Sequence, residues 1–306
     1  MRRLRVVGTS APRVDAVEKV TGRARYTGDI VLPGMLHGKI LRSPHAHARI
    51  RSVDPRRAER VPGVVAVLTR DDLKDIDPYF GPVVHDRPLL AIDVARYVGE
   101  PVAAVAAEDE ATAEAAASLI QVEYEELPAA VSVTAALAPG APPIHEGPHR
   151  AGEERIAIKP VPGTNICHHE RLARGDIERG FAGADLVVED TFTFPMVYHY
   201  ALEPHTALAQ WDKDSLTVWA SAQHPFLVRG ELARIFQLPL ARVRLIVPFL
   251  GGGFGSKSYT KIEPLVAALA RKARRPVRVA QSVSESMHTT RRHSVTCRIK
   301  TGVKRD

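Results

Sequence analysis

Cysteine is scarce: the 306 residues include two, Cys167 and Cys297. Two thiols cannot build the disulfide framework of a small secreted domain. Nor can they supply the four ligands of an iron–sulfur cluster, so any such cluster serving this protein is expected on another chain. Long apolar runs are also lacking. No stretch approaches the ~18 residues that cross a bilayer, and the basic start MRRLR has no hydrophobic region before Pro12, which argues against a secretory signal. A cytoplasmic protein without a membrane span is expected. Lys and Arg outnumber Asp and Glu by 42 to 35, a net charge of +7. The basic residues are scattered, with no block and no interleaved aromatics, so no nucleic-acid partner is expected. Histidine is more plentiful, but His45 with His47, and His168 with His169, lack a matching second pair; no metal directly coordinated by protein side chains is expected.

What is present is the patterning of an ordinary globular chain, 45% hydrophobic and 25% charged, long enough for about two domains. Ala24 to Ile30 reads as a short extended piece. Leu36 to Leu41, Ala48 to Val53, 63–68 and Pro101 to Ala107 read as strands, and Asp71-Asp72-Leu73 after Thr69 as a capped helical turn. Glu108 to Gln121 reads as a helix, with Asp109 as its cap and Ala113, Ala116, Ala117 and Ile120 on one face. Together these make an α+β domain over 17–130, behind an extension over 1–16. An Ala-, Pro- and Gly-rich connection follows over 131–165, then a second domain over 166–306. There Asp176 caps a short helix carrying Phe181, and Leu186 to Phe194 is a strand. Ala207 to Trp211 and Ser215 to Ala220 form a hairpin, and Pro225 opens a helix with Val228, Leu232, Ile235 and Phe236 on one side. Arg242 to Phe249 is a strand, Ile262 to Ala273 a helix and Val277 to Gln281 a strand. Ser294 to Ile299 alternates like half a hairpin, with no partner strand evident and the rest expected beyond the sequence.

The run Gly251-Gly252-Gly253-Phe254-Gly255-Ser256-Lys257-Ser258 is the most informative stretch. Consecutive glycines let the backbone adopt positive φ and approach a ligand closely, and their N–H groups can form a nest for an anion. The phosphate-binding patterns G-x-x-x-x-G-K-[ST] and G-x-G-x-x-G both fail, because Ser256 stands where each needs a glycine. This weighs against a nucleotide-binding, kinase-like protein and leaves a plain tight turn as the alternative to an anionic-cofactor loop.

Taken in order, VEKVTGRARYTGDI, LRSPHAHARI, YVGEPVAAVAAEDEATAEAA, YHYALEPH, SAQHPF, PFLGGGFGSK and RPVRVAQSVSESMHTTRRH span nearly the whole chain. In series they resemble the molybdopterin-binding large subunit of the xanthine dehydrogenase and aldehyde oxidase family, which includes carbon monoxide dehydrogenase and 4-hydroxybenzoyl-CoA reductase. The resemblance implies an α/β-hammerhead-like domain followed by the first part of a molybdenum-cofactor-binding domain. It implies hydroxylation of an aldehyde or N-heterocycle with water-derived oxygen, with carbon monoxide dehydrogenase or 4-hydroxybenzoyl-CoA reductase type chemistry, or a non-catalytic docking module, as alternatives.

The implied cofactor is molybdopterin, in a cytosine dinucleotide form or otherwise. FAD and 2Fe–2S are expected on partner subunits, and a C-terminal half of the large subunit is a further partner if the subunit is split. Gln223 is implied to donate an amide hydrogen bond to the apical oxo ligand; the plainer alternative is a glutamine capping the helix at Pro225. Gly252, Gly253, Phe254 and Gly255 are implied to contact the cofactor, and Phe254 and Ser258 to line the substrate pocket; for Phe254 the alternative is core packing. Glu203 reads as structural, with His199 and His205 bonding nearby backbone. Purine-oxidising relatives carry a carboxylate where Ser258 stands, which argues against xanthine as substrate. The family's general base is a glutamate expected beyond Asp306, so no catalytic base is expected within this sequence and the chain alone is expected to be inactive.

Overall fold

The computed structural model describes residues 7–145 and 158–305; the expected extension over 1–16 and connection over 131–165 lie partly outside these residues. At the centre is a mixed seven-stranded sheet. Its order is Val243–Ile246, Ser215–Ala220, Thr206–Asp212, Val277–Ala280, Leu36–Arg42, Pro101–Ala107 and Val64–Leu68. Strands from before and after the 131–165 connection therefore share one sheet. They meet where Leu36 and His37 pair in parallel with Val277 and Arg278. The Pro101–Ala107 strand pairs antiparallel on both sides, with Leu36–Arg42 and with Val64–Leu68. Every one of its residues is buried, as a continuous apolar run requires of a strand covered on both faces.

Its two faces meet different layers. Ala104 and Ala106 belong to the main core, and Ala103 and Val105 to a second cluster with Ala116, Ala117 and Ile120. The helix behind that second cluster is Glu110–Ser118, and the Asp109 carboxylate accepts from Thr112 N at 2.8 Å, a cap that contributes about 1 kcal/mol. It is shorter than the expected 108–121, because the chain enters the Gln121–Glu126 strand beside Ala48–Asp54. On the other face lies the helix Glu263–Ala273, nearly all of whose residues are buried. It packs on strands from both parts of the sheet, Val64–Leu68 and Thr206–Asp212 among them, and the Trp211 indole donates to its backbone at Ala267 O, 2.8 Å.

Other expectations need correction. The segment 24–30 is not extended throughout: Asp29 accepts from Tyr26 N at 2.8 Å and winds Thr27–Asp29 into a 3-10 turn. The expected strand 242–249 is regular only over Val243–Ile246. The expected half-hairpin has its partner inside the chain. Val295–Val303 pairs antiparallel along all nine residues with Leu186–Phe194, Val295 opposite Phe194 and Val303 opposite Leu186. Local alternation reveals a strand but not a partner so distant in sequence. The helix Val283–Thr289 was not foreseen, although Ser282 and Glu285 form its capping box, a signal legible as S-x-x-E.

Gly38, in the strand next to the parallel junction, allows the Glu263–Ala273 helix its close approach. A Cβ there would lie 2.6 Å from Val279 Cγ2 and 3.3 Å from Leu269 Cδ2, whereas at Gly28 it would meet nothing within 4 Å. Gly38→Ala is expected to destabilise the protein by about 1–3 kcal/mol through overpacking, and Gly28→Ala to stay within about 0.5 kcal/mol. Urea denaturation of the two variants measures the difference.

Candidate functional site

The topology brings the glycine run and Gln223 to one place. The strands Ser215–Ala220 and Val243–Ile246 are parallel neighbours, so their carboxyl ends open at the same sheet edge, where open α/β sheets bind ligands. The first leads through Ser221 and Ala222 to Gln223 before the helix Pro225–Ile235 begins; the second leads through Pro248 to the run at 251–258. The two segments are joined by Gln223 N donating to Lys257 O at 2.8 Å.

The Gln223 carboxamide faces the turn. Its Oε1 accepts from Gly255 N at 3.0 Å and from Lys257 N at 3.3 Å. It does not cap the helix, whose N-cap His224 also makes no side-chain capping bond. With the oxygen held by two backbone donors, the Nε2 end must point away from them, and it donates to nothing among the described residues. Gly253 makes the approach possible: a Cβ there would lie 2.5 Å from Gln223 Cδ. Gly252 and Gly255 have φ of +96° and +93°. Phe254 has φ of +52° and is 73% exposed, so it is not a core residue. A bulky side chain in left-handed backbone is strained, and here the strain presents the ring to solvent. The N–H groups of Gly252, Gly253 and Phe254 have no acceptor among the described residues.

Ser256 is buried, and both its N–H, at 2.8 Å, and its hydroxyl, at 2.7 Å, donate to Gly253 O. Its φ is not left-handed, so this turn needs no glycine at the position where the phosphate motifs fail. Lys257 points inward. Its ammonium donates to Glu203 O at 2.6 Å and pairs with Glu203 Oε2 at 3.1 Å. That buried engagement leaves it no reach to a nucleotide phosphate. Glu203 Oε2 also accepts from Gly251 N at 2.8 Å, and Glu203 N donates to Gly251 O at 3.0 Å. Reading Lys257 only against a phosphate motif missed this pairing, which joins residues far apart in sequence and has no local signal.

His205 is buried, with Nε2 3.3 Å from Ser256 O. His199 lies beside Gly255, its Nε2 3.9 Å from where a Cβ would sit. Burial lowers the pKa of both rings, that of His205 to about 3. Ser258 is half-buried and donates its N–H to Gly255 O at 3.3 Å. The next residues, Tyr259 and Thr260, line a cleft of about 280 Å³ with Gly81, Leu227, Glu231 and Arg234. The donors of the turn left without an acceptor among the described residues, the N–H groups of Gly252, Gly253 and Phe254, are neutral amides, suited to an oxygen-rich anionic group rather than to a bare cation. Among the described residues no three His, Cys, Asp or Glu side chains are placed to hold a metal ion, and no helix is long and apolar enough to cross a membrane.

The depressed pKa of His205 has a pH signature. The unfolded ring, near 6.5, binds protons more tightly than the folded one at about 3, so its contribution is complete above pH 6.5 and is lost as pH falls toward 3. Wild type is expected to lose about 1.4 kcal/mol per pH unit through this one ring between pH 6 and 4. Glu100 and Glu263, whose carboxyls burial raises, act in the opposite sense. The measurement is therefore the difference between wild type and His205→Gln in urea denaturation across that range: a difference that does not shrink as pH falls contradicts the reading.

The molybdopterin cofactor-binding domain model matches residues 158–306, and the a/b hammerhead domain model of aldehyde oxidase and xanthine dehydrogenase matches residues 21–128. A xanthine dehydrogenase molybdenum-binding subunit of Escherichia coli O157:H7 is 38% identical over 309 residues, covering 96% of this chain and 39% of that protein. The nicotinate dehydrogenase large molybdopterin subunit of Eubacterium barkeri is 34% identical over 303 residues, covering 98% of this chain and 67% of that protein. Quinoline 2-oxidoreductase from Pseudomonas putida superposes with a TM-score of 0.81 at 36% identity, covering 97% of this chain and 37% of that one. The chain thus spans less than two-fifths of the length of the E. coli relative. A hammerhead domain followed by a molybdopterin-binding domain, at these identities, places the chain in the aldehyde oxidase and xanthine dehydrogenase family, among its molybdopterin-binding subunits.

Proposed function

We propose that this chain forms the part of a molybdenum hydroxylase large subunit that faces the molybdenum cofactor, in an enzyme oxidising an aldehyde or N-heterocycle with oxygen from water. The observation that carries the reading is the Gln223 carboxamide, held by its oxygen against the glycine turn with its Nε2 free to donate. Fit to the cofactor rests on the N–H groups of Gly252, Gly253 and Phe254, which have no acceptor among the described residues, and on Gly253, whose missing Cβ lets the Gln223 carboxamide sit against the turn. Molybdopterin, in its dinucleotide form or not, would supply two-electron oxidation and oxygen transfer when bound. In this reading Gln223 donates from Nε2 to an oxygen of that group, and a neutral amide suits the task because a buried carboxylate would repel it. The amides of Gly252, Gly253 and Phe254 would hold the group by hydrogen bonds that need no reorganisation, and Gly255, whose own amide holds the Gln223 oxygen, would contact it. Phe254 and Ser258 border the substrate.

Ser258 bears no charge, which favours neutral aldehydes or ring heterocycles over xanthine. The relatives named for nicotinate, nicotine and quinoline support an N-heterocycle, as do those of 38–41% identity named for xanthine dehydrogenase, which weigh for a purine against the Ser258 argument. A glutamate base outside this sequence completes the proposal. The relatives named as molybdenum-binding or large molybdopterin subunits support 2Fe–2S and FAD on partner subunits, here taken to form a cytoplasmic complex.

In the assembled enzyme, Gln223→Ala is expected to lower turnover about 10²- to 10³-fold, the usual cost of losing one preorganised donor, with molybdenum content retained. Gly253→Ala, which pushes the carboxamide aside, is expected to lose activity similarly. Turnover assays beside metal analysis check both; a Gln223→Ala enzyme with full turnover overturns the reading.

A further inference from the structure

We infer that Glu203 and Lys257 are positioning residues: their buried pair fixes the glycine turn, and thereby the orientation of the Gln223 carboxamide. The inference rests on the role proposed for Gln223 and concerns residues that touch neither cofactor nor substrate in that proposal.

The geometry is a closed clamp. Residues 251 and 257 bracket the turn, and both are tied to Glu203. Gly251 exchanges two hydrogen bonds with it, N–H to Oε2 and O to N–H. Lys257 gives its ammonium to both Glu203 O and Oε2. Between the two anchors lie the residues with unengaged amides, Gly252, Gly253 and Phe254. Just inside and at the second anchor are the two donors, Gly255 N and Lys257 N, that hold Gln223 Oε1. Any rotation of the turn that removes these donors frees the carboxamide to flip, and flipping exchanges its outward donor for an acceptor.

The pair is not explained as simple stabilisation. The Lys257 side chain is wholly buried and that of Glu203 is 11% exposed. Desolvating two such charges costs about as much as their attraction returns, and apolar residues of the same volume often serve stability equally well. Glu203 Oε1 is moreover buried with no hydrogen-bond partner among the described residues, a further cost. What the charged pair provides, and an apolar pair cannot, is directional bonding to the backbone at 203 and 251. A Cβ at Gly251 would lie 2.5 Å from Glu203 Cβ, so the turn and the carboxylate also fit sterically only as found.

Amide hydrogen exchange by NMR on these 306 residues tests this without any cofactor. Its outcome is therefore separate from that of the turnover assay on Gln223. Glu203→Gln removes the charge at nearly constant shape, and Lys257→Met removes it from the other side. Both are expected to raise exchange at Gly255 and Lys257 about tenfold or more by local opening and to shift the Gln223 side-chain NH2 resonances. Exchange in the Pro101–Ala107 strand is expected to stay within about twofold, since local and global opening are separable. Unchanged exchange at Gly255 and Lys257 would overturn the inference. So would acceleration spread evenly over the fold, or failure of both variants to fold, because each makes the pair a general stability element.

Discussion

The site depends on one short set of hydrogen bonds, those by which the backbone at 251–257 closes around Glu203 and Gln223. The glycine run has little conformational preference of its own, and left to itself it would sample many shapes. Gly251 is tied to Glu203, Gly255 and Lys257 to the Gln223 oxygen, and Ser256 to Gly253. These contacts select one shape from many. They also leave the amides of Gly252, Gly253 and Phe254 and the Gln223 Nε2 without acceptors among the described residues, and the proposed cofactor contact rests on those donors.

The fold supports that arrangement by rigidity at two levels. The parallel pair Ser215–Ala220 and Val243–Ile246 sets where Gln223 and the turn emerge. The sheet then continues through Val277–Ala280 into the strands of the hammerhead region. One helix, Glu263–Ala273, begins just after the turn and covers strands from both regions. Surface ion pairs such as Arg275 with Glu108 and Lys272 with Asp72 join the same parts but add little, since exposed pairs contribute ~0–1 kcal/mol. Membership of the aldehyde oxidase and xanthine dehydrogenase family accords with this construction, in which the front region is not an appendage but part of the sheet that carries the site.

Legibility in the sequence followed the range of the interactions. Local signals were readable: the all-apolar Pro101–Ala107, the caps at Asp109 and Asp176, the hairpin turning at Lys213 and Asp214, and Pro225 opening its helix. Gln223 and the run from Gly252 to Gly255 were picked out by resemblance, and the fold brings them within hydrogen-bonding distance. Long-range pairings were not readable. Nothing in the periodicity of Leu36 to Arg42 names Val277 as a neighbour, nor does the alternation of Val295 to Val303 name Leu186 to Phe194. Lys257 was hidden for a chemical reason: a lysine in a glycine loop suggests a phosphate, and only tertiary structure shows its ammonium turned inward to Glu203.

The most direct measurement of the central claim is a structure of the assembled enzyme with its molybdenum cofactor bound. The account predicts Gln223 Nε2 at about 3 Å, an ordinary hydrogen-bond length, from an oxygen of the metal centre, with the amides of Gly252 to Phe254 turned to the same group. A carboxamide still on the turn but facing solvent or protein, with the cofactor seated elsewhere, would contradict it.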